Sequence, residues 1–171
     1  MSLIINNRIA LGNIRDLSTP TSTQQYKLGS IVEVEDTTTN AVKRYMYVKS
    51  HTGLTAYQPY LITNLASSAS QWITAAPATL ASAVNLIGVP QVAFTSGYFG
   101  FVLISGRCSV LVDRAVTSGW TLECLNAGTS LAGIATTELI GTIGIAISST
   151  TGAGAATAFL SGRRAEIRAT S

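Results

Sequence analysis

Few residues of this chain could perform acid–base, nucleophilic or metal chemistry. Its 171 residues include one His, two Cys, three Asp and five Glu. His51 lies in the segment Lys49-Ser50-His51-Thr52-Gly53, whose composition is typical of a surface turn, so it is a poor candidate for the base of a catalytic triad. Cys108 and Cys124 are sixteen residues apart without a nearby His, which does not match the ligand spacing of a zinc site.

The motifs of common catalytic and phosphate-binding sites are also missing from the sequence. It contains no Gly-x-Ser-x-Gly nucleophile elbow. Gly152-Ala153-Gly154 lacks the Lys-Ser/Thr pair that completes a phosphate-binding loop. A hydrolase with paired carboxylates would have to use two of the eight acidic residues, Asp16, Glu33, Glu35, Asp36, Asp113, Glu123, Glu138 and Glu166. Most of these fall at predicted strand ends or outward positions, where charge aids solubility. We therefore expect no enzymatic activity, no cofactor and no metal site.

The composition is that of a folded protein with a weakly charged surface. The length fits a single domain. Charged residues make up 11% of the chain, against about 25% in an average soluble protein. The chain is rich in Ala, Thr and Ser, and its apolar content of 47% excludes a disordered protein. Such a surface is typical of a protein that works against a partner.

Neither nucleic acid nor a membrane is an expected partner. The net charge of +3 comes from few groups. The dense basic positions are Lys43-Arg44 and Arg163-Arg164 with Arg168, which we interpret as a solvated edge or polar interface because a nucleic-acid site needs more clustering. The longest unbroken run of apolar, Gly and Thr residues, Leu139 to Ile147, is far shorter than the roughly 18 residues of a membrane-spanning helix.

The segment 1–25 differs in character from the rest of the chain. It lacks the basic and apolar regions of a signal peptide, so we expect folding in a reducing cytoplasm, with both cysteines as free thiols. Leu17 to Gln25 has no hydrophobic periodicity, which predicts an extended arm over residues 1–25 and a β domain over residues 26–171. The apolar residues of the arm must be held either by its own domain or by a neighbouring subunit.

From Tyr26 onward the pattern predicts an all-β domain, either a β-sandwich or a β-barrel. Alternating apolar and polar residues over 31–49 predict a hairpin, and turn signals then recur about every 8–12 residues. Further strands are expected at 60–63, 90–94, 98–104, 107–112, 120–125, 139–147, 156–160 and 165–168, with a turn at Ser105-Gly106. At most one short helix is expected, from Ala78 to Ile87, because apolar residues share one face and Gly88 follows.

The two cysteines are predicted to be neighbours in the core. Alternation places Cys108 inward on one strand and Cys124 inward on the next. If these strands pair antiparallel around residues 113–119, Cys108 faces Cys124. We expect both to act as small buried apolar side chains.

Several short motifs follow one another in a characteristic order. They begin with Tyr26-Lys27-Leu28-Gly29-Ser30-Ile31-Val32 and Arg44-Tyr45-Met46-Tyr47-Val48-Lys49. They continue with segments at 54–60, 88–94, 97–102, 105–106, 116–120 and 139–146. Over roughly residues 26–168 this order resembles that of the head-decoration, or cement, proteins of tailed bacteriophages. Residues 1–25 have no counterpart in that resemblance.

The resemblance implies a compact β-rich protein of the virion, made in the host bacterial cytoplasm and bound to the outer surface of an icosahedral capsid. It implies a homotrimer that stabilises the shell by bridging neighbouring subunits of the major capsid protein. We hypothesise that the N-terminal arm binds the capsid or a neighbouring cement subunit through Ile4, Ile5, Arg8, Ile9, Leu11 and Arg15. We place the trimer interface at Ile140, Ile143, Ile145 and Ile147, where interleaved glycines allow close approach.

Two other functions are compatible with the sequence. A receptor- or glycan-binding head of a phage fibre or spike would use exposed aromatic residues: Tyr45, Tyr47, Tyr57, Tyr60, Trp72, Tyr98 and Phe99. The simpler interpretation is that these side chains pack across a sheet or an interface. A small trimeric β enzyme would need a polar pocket that holds carboxylates or His51.

Overall fold

The structure, a computed structural model, describes residues 3–5, 17–36, 41–64, 72–75, 86–124, 130–134 and 142–162. These residues form strands, turns and bends without a helix, which confirms the all-β prediction. The described chain accordingly has no helix long and apolar enough to cross a membrane. The strands are β1 (Leu3–Ile5), β2 (Ile31–Asp36), β3 (Ala41–Ser50), β4 (Tyr60–Asn64), β5 (Trp72–Ala75), β6 (Leu86–Gly88), β7 (Phe99–Val112), β8 (Thr121–Cys124), β9 (Leu131–Ile134), β10 (Thr142–Ala146) and β11 (Gly154–Ser161).

Five strands close into a small barrel in the order β7-β11-β10-β8-β9, with β9 returning to β7. The pairing of β7 with β9 is parallel, at Val112 and Leu131, and the other four pairings are antiparallel. The barrel interior is filled by apolar side chains that alternate along β7 and β11 and that are set out of phase on β10 by a register shift between Thr142 and Gly144. They are Val110, Val112, Leu122, Leu131, Ile143, Ala146, Ala156, Ala158 and Leu160. Three of these are Ala because a five-stranded barrel is narrower than the eight-stranded barrel that larger side chains just fill.

The other strands extend the sheet from the N-terminal half of β7. β3 pairs antiparallel with β7 over Arg44 to Lys49, and β2 pairs with the opposite edge of β3 as the predicted hairpin. β1 adds to β2, while β5, β4 and β6 follow in that order from the end of β3. Two smaller apolar clusters cover this extension, one around Val48 and Phe94 and the other around Tyr47 and Phe101.

β7 is one continuous strand of 14 residues, so the predicted turn at Ser105-Gly106 is wrong. Gly106 has φ = +106°, and a Cβ there would lie 2.6 Å from the carbonyl oxygen of Val42. The register of β3 against β7 shifts at the same place, between Arg44 and Tyr45. A glycine in a left-handed conformation beside a register shift bends a strand without ending it, which lets β7 serve both the outer sheet and the barrel.

Three turns bind to strand residues by the same pair of hydrogen bonds. In each, a glycine with positive φ donates its N–H to a carbonyl, and the partner residue donates its own N–H to the carbonyl of the residue after the glycine. The pairs are Gly29-Ser30 with Tyr47, Gly97-Tyr98 with Ser50, and Gly119-Trp120 with Ala146. A fourth turn places Tyr57 at φ = +67° with its N–H on the Pro90 carbonyl. Pro90 has no N–H to return; the Tyr57 carbonyl instead accepts the Leu111 N–H of β7 at 2.8 Å.

A glutamine side chain completes the ladder along one edge of β7. The Gln91 amide oxygen accepts the Ser109 N–H at 3.2 Å, and the amide nitrogen donates to the Ser109 carbonyl at 3.2 Å. The same nitrogen lies 3.3 Å from the Val89 carbonyl oxygen. Ser109 lies between the stretch of β7 paired with β3 and the residue paired with β9, so Gln91 takes the place of a missing strand.

Two sequence predictions are corrected by the strand order. Leu86 and Ile87 belong to strand β6, so the end of the predicted helix is wrong, and residues 78–85 lie outside the described residues. β9 separates β8 from β7, so the predicted pairing of Cys108 with Cys124 is also wrong. The register partner of Cys108 on β11 is Ala158, and that of Cys124 on β9 is Leu131. Predicted strand 165–168 lies outside the described residues.

Replacing Gly119 by Ala should test the docked turn. A Cβ at Gly119 would meet no atom within 4 Å, so its φ of +91° is the source of the cost. We expect a loss of about 1–2 kcal/mol in the free energy of unfolding, measured by urea denaturation. Gly152→Ala is the matched control, because Gly152 also has open space but no positive φ. Equal stability of the two variants would show that the positive φ of Gly119 is not the source of the cost.

Replacing Gln91 by Ala should leave the N–H and carbonyl of Ser109 without this partner. We expect a loss of about 1–3 kcal/mol in the free energy of unfolding. The control is Gln24→Ala, whose amide donates to the Tyr26 carbonyl in an exposed position, and whose change should be within about 0.5 kcal/mol. A Gln91→Ala variant as stable as the control would show that water replaces the two hydrogen bonds between Gln91 and Ser109.

Candidate interaction surfaces

The predicted capsid-binding arm lies partly within the described residues. Ile4 and Ile5 belong to β1, which pairs antiparallel with β2 of the same chain, with Ile4 opposite Glu35 and Ile5 opposite Val34. Arg8, Ile9, Leu11 and Arg15 lie outside the described residues. For β1, therefore, the chain's own domain supplies the attachment, which was one of the two alternatives left by the sequence.

The second half of the predicted arm lies on the sheet. Thr21 and Phe99 exchange two backbone hydrogen bonds of 2.9 and 2.8 Å. The Gln25 N–H donates to the Tyr47 hydroxyl at 3.0 Å, and the rings of Tyr26 and Tyr47 meet edge to face with centroids 5.2 Å apart. Leu17 packs against the same cluster. Residues 17–26 thus cover one face of β3 and β7.

The exposed apolar side chains of the barrel concentrate on β10, β11 and the residue after β10. Ile145 is 49% exposed, Phe159 44% and Ile147 36%. Ile145 and Phe159 are register partners on neighbouring strands, and the Ile147 N–H donates to the Thr157 carbonyl on β11. These three side chains, which we call the β10–β11 patch, form one apolar surface.

The four residues predicted for the trimer interface divide between surface and core. Ile145 and Ile147 belong to the β10–β11 patch. Ile143 is only 2% exposed and lies in the barrel core. The pairing of β10 with β8 shifts register between Thr142 and Gly144, and such a bulge breaks the alternation that would otherwise place Ile143 on the same face as Ile145. Ile140 lies outside the described residues. Sequence reasoning missed Phe159, although its outward position follows from the inward phase of Ala156, Ala158 and Leu160.

The β10–β11 patch has charged side chains at its two flanks. Arg107 on β7 is the register partner of Phe159, and Thr121 on β8 is that of Ile145. Glu123 lies two residues beyond Thr121, and partial burial raises its pKa. From Thr142 through Gly162 the sequence contains no charged residue. The patch is therefore apolar at its centre, basic on the β7 side and acidic on the β8 side.

The basic pair Lys43-Arg44 is neutralised locally. Lys43 Nζ lies 2.8 Å from a carboxylate oxygen of Asp36, and Arg44 Nε lies 3.0 Å from one of Glu33. Arg114 is similarly paired with the adjacent Asp113 at 2.7 Å. Arg163, Arg164 and Arg168 lie outside the described residues. In the described chain Lys43 and Arg44 thus form cross-strand ion pairs of a hairpin, as the interpretation of an edge implies.

The aromatic residues considered for a glycan site are largely used in packing. Tyr47 and Tyr60 are buried, and the Tyr60 hydroxyl accepts the Thr55 N–H at 2.8 Å. Tyr57 and Tyr98 are half-buried in separate turns, and the side chain of Trp72 lies outside the described residues. His51 is exposed, and its carbonyl accepts the Ser96 hydroxyl at 3.1 Å. No three His, Cys, Asp or Glu side chains of the described chain gather as metal ligands would.

Two ionisable groups are buried where β3 meets the barrel. Burial raises the pKa of the Cys108 thiol to about 12, with nearby Lys43 opposing the shift. Burial also raises the pKa of the Tyr45 hydroxyl to about 12, with smaller contributions from Cys108 and Asp36. Both groups are therefore neutral at physiological pH, and Cys108 is a poor nucleophile.

These two groups should make the fold sensitive to alkali. The pKa values rise on folding from 9.0 for the thiol and 10.0 for the phenol to about 12. Stability is therefore full below pH 9 and falls between pH 9 and 12, by at most about 1.4 kcal/mol per pH unit for each group. Urea denaturation across this range should show a shallower fall for Cys108→Ala and for Tyr45→Phe. Slopes identical to that of the unaltered protein would exclude both groups as the cause.

Comparison with known proteins gives weak structural similarity without a sequence match. No family model matches the chain, and no curated protein matches it. Among solved structures, the chain is similar to the N base of the head fibre gp8.5 of bacteriophage phi29, with 13% sequence identity and a TM-score of 0.49. The match covers 71% of this chain and 97% of that one. A similarity of this size transfers no function to this chain.

Proposed function

We propose that this chain is a structural protein of a phage virion that binds the outer surface of an icosahedral capsid. In this proposal it stabilises the shell by bridging neighbouring subunits of the major capsid protein, and it acts as a homotrimer. The observation that carries the proposal is the surface of the barrel, where an exposed apolar patch lies on the uncharged stretch from Thr142 through Gly162. The order of motifs over residues 26–168 supplies the class of partner.

The surface chemistry suits a protein that covers seams between subunits. Small polar and apolar side chains can pack closely against another protein without the cost of desolvating charges. Each such contact is weak, but contacts repeated over a lattice reinforce one another through effective concentration. Binding to the assembled form alone stabilises it by mass action. This role needs neither catalysis nor a cofactor.

The N-terminal arm remains the proposed capsid contact. Ile4 lies opposite Glu35, which in turn lies opposite Val42 on β3. Val42 is 55% exposed, so an exposed apolar side chain stands in the same cross-strand row as Ile4. The proposed capsid-binding surface thus combines the arm, with Ile4, Ile5, Arg8, Ile9, Leu11 and Arg15, and the neighbouring edge of the hairpin.

Co-sedimentation tests the proposal most directly. Purified protein should bind saturably to expanded capsids of the phage that encodes it, assembled without this chain, and should raise the temperature at which those capsids open. Unexpanded capsids are the control for the state of the shell. No binding to expanded capsids would remove the capsid role, and binding to host surface glycans instead would favour the head of a fibre or spike.

Deleting residues 1–16 should abolish capsid binding while leaving the barrel folded. The deletion removes β1, which is an edge strand of three residues, so we expect the midpoint of thermal unfolding to fall by no more than a few degrees. Val42→Lys in the full-length chain should weaken binding without affecting stability, because the side chain is exposed. Undiminished binding of the truncated protein would overturn the arm as the capsid contact.

A further inference from the structure

We infer that copies of this chain associate head to tail, with Ile145 on β10 of one copy packing against Phe159 on β11 of the next. This deepens the trimer part of the proposed function by naming the contact, and the partner it requires is a second copy of the chain. The interface predicted from the sequence included Ile143, which lies in the barrel core. In the contact inferred from the structure, Phe159 takes its place.

The two contact residues have the exposure that a docking surface needs. Ile145 and Phe159 are among the most exposed large apolar side chains of the described chain, and they are neighbours across one strand pair. Ile147 extends the surface along the chain. The remaining outward residues of β11, Ala155, Thr157 and Ser161, are small, so a second barrel can approach closely.

The curvature of the barrel fits a closed ring of three. Neighbouring strands of a five-stranded barrel face outward in directions about 72° apart. In a three-fold ring, each copy meets its two neighbours along directions about 60° apart. If β10 and β11 straddle the three-fold axis, β11 of one copy faces β10 of the next, and the same contact repeats until the ring closes.

The flanking charges give this contact a direction. In the ring, the β7 side of one copy and the β8 side of the next lie on the same outer rim of the seam. Arg107 and Glu123 are on these sides, and in the described chain neither belongs to an ion pair. A basic flank meeting an acidic flank favours a second copy over a uniformly charged partner.

Sedimentation velocity on the purified protein, without capsids, tests the inference. At concentrations up to about 100 µM we expect a species of three chains, which Ile145→Lys and Phe159→Lys should each convert to monomer. Ile31→Lys is the matched control, because it places the same charge on an exposed Ile of β2, outside the patch. Circular dichroism of each variant confirms that the sheet is intact. A wild-type monomer, or trimers that survive both patch substitutions, would overturn the contact.

Charge exchange tests the head-to-tail direction. Arg107→Glu and Glu123→Arg should each raise the trimer dissociation constant, by about tenfold or less at low salt, and the double variant should restore it. If the increases in the trimer dissociation constant add up in the double variant, Arg107 of one copy does not face Glu123 of the next. Because this assay contains no capsids, its outcome is independent of capsid binding. A trimer that does not bind capsids would contradict the capsid role but not this contact, and a monomer that binds capsids would contradict the trimer and this contact but not the capsid role.

Discussion

The hydrogen-bonding capacity of β7 is the constraint on which the rest of the molecule depends. This strand pairs with β3, β9 and β11, and loops occupy the remaining edge positions through Thr21, Val89, Gln91 and Tyr57. A buried strand edge left unpaired would cost the desolvation of each free N–H and carbonyl. The barrel and the outer sheet therefore cannot separate without breaking the same strand, and the left-handed Gly106 is what allows one strand to serve both.

The docked turns solve the same problem at the strand ends. Each glycine turn returns two hydrogen bonds to a residue whose strand ladder has ended or changed partner. The pair Gly97-Tyr98 with Ser50 closes the end of β3, and Gly119-Trp120 with Ala146 closes the end of β10. The outer sheet and the barrel thus use the same kind of glycine turn. Short strands with satisfied ends leave little backbone exposed for unwanted pairing.

The same alternation of residues that fills the narrow barrel interior also decides which side chains of β11 lie on the surface. β11 gives Ala156, Ala158 and Leu160 to the interior and Phe159 to the surface. A protein that needed only solubility would place charged residues at such outward positions, yet β10 and β11 carry none. The uncharged outward positions of β10 and β11 form the face on which we place the contact with a neighbouring copy. The arm and the hairpin edge, which we propose for capsid binding, lie at β1 to β3, outside the barrel.

The sequence by itself determined the all-β class, the 31–49 hairpin and the inward phase of Cys108, Val110, Val112 and Leu122, because alternation and turn residues are local signals. It also limited the chemistry to a handful of ionisable residues. Only the tertiary structure decided which strands are neighbours: β9 enters between β7 and β8, and a bend at Gly106 replaces a turn. Pairing joins residues far apart in the chain and depends on barrel closure, which no local pattern encodes. The register shift between Thr142 and Gly144 was likewise decided by tertiary pairing, and it places Ile143 in the core while Ile145 stays on the surface.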